Sequence, residues 1–377
     1  MTTNSRYIMF LFLLVLFVRC SPENPTESKI PTAANDFLVD TLATPKTVAL
    51  FRNLQELTDT GVMFGHQDAT AYGVGWWAEP GRSDVKEVCG DYPAVYGWDL
   101  GDIHEAENLD GANFNNMQIW IKEAYARGGI ITISMHLDNP VSGGNAWDNS
   151  SAVSEILPNR PYHAQYINTL SKIASFLSNL KTSDGIYIPV ILRPYHEHSQ
   201  SWPWWGMESC TSEEFYSLWQ MTVEYFRDEK GIHHLLYAIS PQDINYKSQY
   251  FERYPGDDWV DILGLDYYSL HNSYNIIKLG EALDMLGKEA EQRGKIMALT
   301  EVGVNKITVG NWWTNYLLTA IKYSEYSRKT AWALVWRNYS TEHHFAPFPG
   351  HESEANFLNF YQNSFTIFES DLPEMYE

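Results

Sequence analysis

Cysteine is scarce, with three in 377 residues. Cys20, Cys89 and Cys210 lack the close spacing of a cysteine metal knuckle, which excludes that class of site. Cys89 and Cys210 could pair in an oxidising compartment, but two isolated cysteines do not establish a bridge. Positive charge is also scarce: 26 Lys+Arg stand against 47 Asp+Glu, a formal net charge of −21. Such a chain repels nucleic acid and anionic membrane surfaces and disfavours a polyanionic substrate. No Gly-rich dinucleotide or phosphate fingerprint follows the first strand-like run, and no internal repeat or composition break marks a second domain. Aromatics, by contrast, are abundant at 15%, including 14 Trp and 24 Tyr. They serve either an aromatic-rich core or flat neutral ligands such as sugars.

Residues 7–18, YIMFLFLLVLFV, form an apolar run behind Arg6. It is shorter than the roughly 20 residues that span a bilayer and fits a secretory leader. Cys20 closes it, as in bacterial lipoprotein signals, although Arg19 sits where a small residue is usual, so plain secretion stays open. The expected organisation is a signal peptide over 1–20, a linker over 21–35 and a catalytic domain over 36–377. The expected location is secreted or cell envelope, with a lipid anchor at Cys20 as one option.

Apolar, β-rich runs recur at 62–65, 93–98, 130–135, 187–193, 235–240, 260–265, 296–300 and 331–336. Helical patterns lie between them at 46–59, 113–127, 164–180, 213–228, 276–293 and 312–327, with Gly128-Gly129 and Gly294 as stops and Ser212 as a start. Eight continuous apolar strands alternating with helices predict an α/β fold, a single (β/α)8 TIM barrel. Function in that fold sits on the loops after the strands' carboxyl ends. Those ends carry Gln67 between His66 and Asp68, then Trp98-Asp99, then His136. Next come Arg193 with Tyr195-His196-Glu197-His198, then Asp266-Tyr267-Tyr268, Glu301 and Trp336-Arg337. Asp138, Asn139 and Trp147 follow on the long connection after the third strand.

Glu197 and Glu301 each follow a buried-looking strand, VILR and IMALT, where an unpaired carboxylate is costly. Strands four and seven face each other across a barrel mouth. Carboxylates ending them can approach to about 5–5.5 Å, the separation of a retaining glycosidase. The plainer alternative is a salt bridge with Arg193 or Arg337.

The segment ILRPYHEHSQSWPWWG (191–206) resembles the acid/base region of glycoside hydrolase family 26, best known for bacterial retaining β-mannanases. The resemblance continues in order through FGHQDATAYG, ISMHLDNP, LDYYS, ALTEVG and VWRN, covering about 40–360. It implies Glu197 as general acid/base and Glu301 as nucleophile. It also implies sugar-binding roles for His136, His196, Trp202, Asp266, Tyr268, Trp336 and Arg337. The expected reaction is hydrolysis of β-1,4-mannosidic bonds in mannan, glucomannan or galactomannan by a monomer. Loops 137–163 and 339–354 would decide between internal cleavage and mannobiose release. The rivals are a mixed-linkage β-glucanase or β-1,3-xylanase of the same family, and a non-catalytic glycan-binding lipoprotein. Trp204 and Trp205 read as core more readily than as a platform, while His66 and Asp68 would line the mouth or brace it. His198, His233-His234 and His343-His344 do not suggest a metal, since adjacent histidines on a strand point to opposite faces, so neither metal nor cofactor is expected.

Overall fold

Eight parallel strands close on themselves in chain order. They are β1 (Val62–Gln67), β2 (Val95–Asp99), β3 (Ile130–Ser134), β4 (Val190–Arg193), β5 (Leu235–Ile239), β6 (Ile262–Tyr267), β7 (Ile296–Val302) and β8 (Thr330–Val335). Each pairs with the next, and β8 returns to β1 with Met63 opposite Trp332 and His66 opposite Val335. This is the single (β/α)8 barrel that the alternation predicts. The structure, a computed structural model, describes residues 1–2 and 37–377, so the expected leader with Cys20 and the linker fall almost wholly outside the described residues.

Every position of the eight strands is buried, which is why they read as unbroken apolar runs. The two-residue period then divides them. Met63, Val95, Ile130, Ile191, Leu236, Ile262 and Ile296 point inward and form one cluster. Their neighbours Phe64, Tyr96, Ile131, Leu192, Tyr237, Leu263 and Met297 point outward under the helices and join another. The inner cluster includes Leu50, Phe51 and Leu54 of helix Pro45–Leu57, and Met375 and Tyr376, which plug the end where the strands begin. The other end is left for loops.

Three elements differ from expectation. β4 begins at Val190 rather than 187, because Ile186 and Tyr187 lie exposed, Tyr187 in an isolated bridge to Lys181. The helix expected over 312–327 breaks into a π turn (Trp313–Leu317), one α turn (Leu318–Ile321) and a 3-10 turn (Ser327–Lys329). The stop after Ile321 falls where Ser324 and Ser327 bond each other reciprocally through hydroxyls and backbone N–H groups, in competition with helical pairing. The helix expected to start at Ser212 is capped one residue earlier, by a Thr211–Glu214 capping box. Cys89 and Cys210 are both free thiols.

Phe64 on β1 is fully buried among Trp313, Phe357, Phe360 and Phe368, with ring centroids 5.1–5.9 Å away. Phe64→Ala should lower unfolding free energy by about 3–5 kcal/mol, read from urea denaturation midpoints. A loss no greater than that of Phe64→Leu would show that this cluster does not anchor the helix Glu354–Tyr361, which carries Phe357 and Phe360.

Candidate active site

The carboxyl ends of the strands surround one cavity of about 550 Å³. β4 delivers Glu197 through a tight turn in which Tyr195 and Glu197 both adopt left-handed backbone, φ 51° and 52°. Each such residue costs about 1–3 kcal/mol and persists only when its surroundings over-determine it. Here the surroundings are specific. The Tyr195 hydroxyl bonds Tyr166 and, at 2.7 Å, Thr222. Trp205 Nε1 donates to the His196 carbonyl at 2.8 Å, and Glu197 N donates to the Ser240 carbonyl at 2.7 Å. Trp204 and Trp205 are therefore core braces, fully buried beneath the turn.

Glu197 Oε2 accepts from Trp202 Nε1 at 2.7 Å and from the Gln242 amide at 2.9 Å. Burial first, then the charges of Glu301 and Asp266, push its carboxyl well above the usual range, with the Trp202 hydrogen bond pulling the other way. Glu301, at the end of β7, is held differently. Its Oε1 accepts from Arg193, and its Oε2 accepts from the Tyr268 hydroxyl at 2.5 Å. Arg193 also donates to Asp266 at 2.9 Å, and Ser240 and Thr300 complete the donors to Asp266. Burial raises Asp266, opposed by Arg193. The salt bridge weighed as an alternative role for Glu301 thus exists, on a residue that still faces the cavity. Arg337 pairs instead with Asp110, at 2.8 Å.

An aromatic wall completes the site. The His136 ring stacks on Trp147 and Trp202 at 5.4 and 5.8 Å and meets Trp336 edge-on at 5.7 Å. Of the residues singled out from sequence, His136, His196, Glu197, Trp202, Tyr268, Glu301, Trp336 and Arg337 line the cavity. Asp266 does not; it lies behind the wall, fully buried, and reaches Glu301 through Arg193. His66 and Asp68 are likewise buried behind it, with Asp68 accepting from the Tyr72 hydroxyl at 2.6 Å. Burial, then Asp110, pushes Asp68 up to about 8. Gln242 and Asp110 line the cavity without having been foreseen, and His343 joins them from the 339–354 loop expected to set the cleavage mode. Gln242 sits three residues past β5, so the strand-end signal was there to find; the other two lie in loops without periodicity.

This arrangement pairs one carboxyl raised by burial and negative neighbours with one facing two donors, among flat apolar faces. Trp202→Phe removes a donor that favours the charged form of Glu197, so the Glu197 titration should move still higher. Carboxyl ¹³C NMR, with Glu197→Gln identifying the resonance, checks this. An unmoved midpoint would mean that the indole does not tune the acid.

Three comparisons bear on this geometry. The family model described as "Glycosyl hydrolase family 26" matches residues 39–348. A mannan endo-1,4-beta-mannosidase of Bifidobacterium adolescentis is 37% identical over 75% of the chain, which spans only 29% of that relative's length. One from Bacillus subtilis is 28% identical over 88% of both chains. The solved structure of a family 26 beta-mannanase from Bacteroides ovatus superposes with a TM-score of 0.85 at 41% identity, covering 89% of this chain and 98% of that one. With matched sequence, barrel and strand-end residues in agreement, the chain belongs to glycosyl hydrolase family 26.

Proposed function

We propose that the protein is a retaining, endo-acting β-mannanase that hydrolyses β-1,4-mannosidic bonds of mannan, glucomannan or galactomannan. The observation that carries the reading is the unequal treatment of two carboxyls on one cavity. Glu197 is desolvated beside negative charge, and Glu301 accepts from Arg193 and Tyr268. In the first step Glu197 gives its proton to the glycosidic oxygen and the C1–O bond breaks. A Glu301 oxygen bonds to C1, and the leaving sugar departs with the new hydroxyl. In the second step water adds to C1, Glu197 takes its proton, and the sugar–Glu301 ester bond breaks, restoring both residues. The faces of Trp147, Trp202 and Trp336 suit the C–H faces of pyranoses, and Arg337 with Asp110 offers polar contacts to sugar hydroxyls. The substrate reading also rests on the mannosidase names of the relatives.

The acid is competent only while protonated, and its titration is raised. Activity should therefore extend to higher pH than an ordinary glutamate allows and fall as pH rises through the Glu197 value. Incubation with galactomannan, mixed-linkage glucan and β-1,3-xylan, followed by chromatography of early products, tests the substrate. Mixed mannooligosaccharides support internal cleavage, mannobiose alone supports release from chain ends, and cleavage of glucan alone refutes the mannan assignment. Glu301→Ala should abolish turnover on galactomannan while oligosaccharide binding, followed by calorimetry, survives. Residual full activity would refute the nucleophile.

A further inference from the structure

Asp99 ends β2, is fully buried, and does not line the cavity. It is nevertheless crowded with donors. Its Oδ1 accepts from Gly101 N at 2.7 Å and His136 N at 3.2 Å. Its Oδ2 accepts from Ser134 Oγ at 2.5 Å and lies 2.8 Å from His136 Nδ1. An ionised carboxylate only accepts, so the facing Nδ1 carries the hydrogen. The opposite edge of the same ring is thereby aimed into the cavity, its Nε2 3.1 Å from His196 Nε2, with one hydrogen between them. His196 directly precedes Glu197.

We infer that Asp99 is a positioning residue, fixing the orientation and proton of the His136 ring and, through it, the His136–His196 contact beside Glu197. The ring meets charge from every side. Asp99 and Asp110 face it from β2 and its loop, His196 and Glu197 from the β4 turn, Glu301 from β7 and Arg337 after β8. Burial pulls His136 down, but Asp99, then Glu301 and Asp110, outweigh burial and raise it. Asp99 in turn is brought below its usual value: burial works against this, and His136 with the Ser134 and Gly101 bonds overcomes it. The geometry resembles the way a carboxylate fixes a histidine tautomer in catalytic triads, without sharing their chemistry.

The activity readout of this inference rests on the glycosidase reading; its titration readout does not. In protein labelled at histidine Cε1, with the His136 signal identified by its loss in His136→Ala, Asp99→Asn should lower the His136 midpoint by about 1–3 pH units. Ser134→Ala, which takes one donor from Asp99 and leaves it more basic, should move the midpoint the other way. On galactomannan, Asp99→Asn should lower kcat/KM, and the Asp99→Asn/His136→Ala double variant should lose no more than His136→Ala alone. An unmoved midpoint in folded Asp99→Asn, a downward move in Ser134→Ala, or losses that multiply would overturn the inference. Should Asp99→Asn fail to fold, Ser134→Ala alone decides by the direction of its shift. If wild type cleaves no mannan, the proposed function fails while the titration still judges Asp99.

Discussion

One guanidinium holds the top of the barrel together. Arg193 is buried at the end of β4 and bonds Glu301 on one nitrogen and Asp266 on the other, so three strands converge on a single cation. Removing one member of such a buried set leaves an uncompensated charge, typically a loss of about 3–5 kcal/mol. The arithmetic of charge also separates the roles of the carboxyls. Three of them, Glu197, Asp266 and Glu301, surround that cation, and Arg193 reaches only two. Glu197 is left with an indole and an amide as partners, neither of which carries charge. Burial, then the charges of Glu301 and Asp266, raise its titration, with the Trp202 bond and the more distant Arg193 pulling the other way.

Aromatic abundance has two explanations, and both apply in unequal measure. Trp98, Trp204, Trp205, Trp219, Trp312, Trp313 and Trp332 are fully buried, half of the 14 in the chain. They are structural, and two of them brace the left-handed turn that presents Glu197. Trp147, Trp202 and Trp336 line the cavity. Composition alone cannot separate these groups, because an indole is equally at home as a rigid wedge and as a sugar-facing plate.

The barrel was legible because a strand buried on both sides has little freedom in composition. The same economy exposed the site, since a polar or ionisable residue ending such a strand is conspicuous. What stayed hidden depended on conformation. The break near Ser324 and Ser327 falls where side chains compete for backbone groups, which apolar periodicity does not register. Asp266, expected to bind sugar, ends a strand as Glu301 does, yet the shift in β6–β7 register between Leu265 and Asp266 accompanies one facing the cavity and the other lying behind it. Asp110 and His343 reach the cavity from loops whose path no local pattern specifies.

The plug at the opposite pole has a practical corollary. Phe37 is fastened there by Lys295 through its carbonyl, and the last residue, Glu377, is tied to Lys46 and Arg52 of the plugging helix. Both ends of the described barrel thus emerge on the side remote from the opening. A bead, resin or fusion partner joined at either end of the described barrel would leave the cavity facing outward and unobstructed.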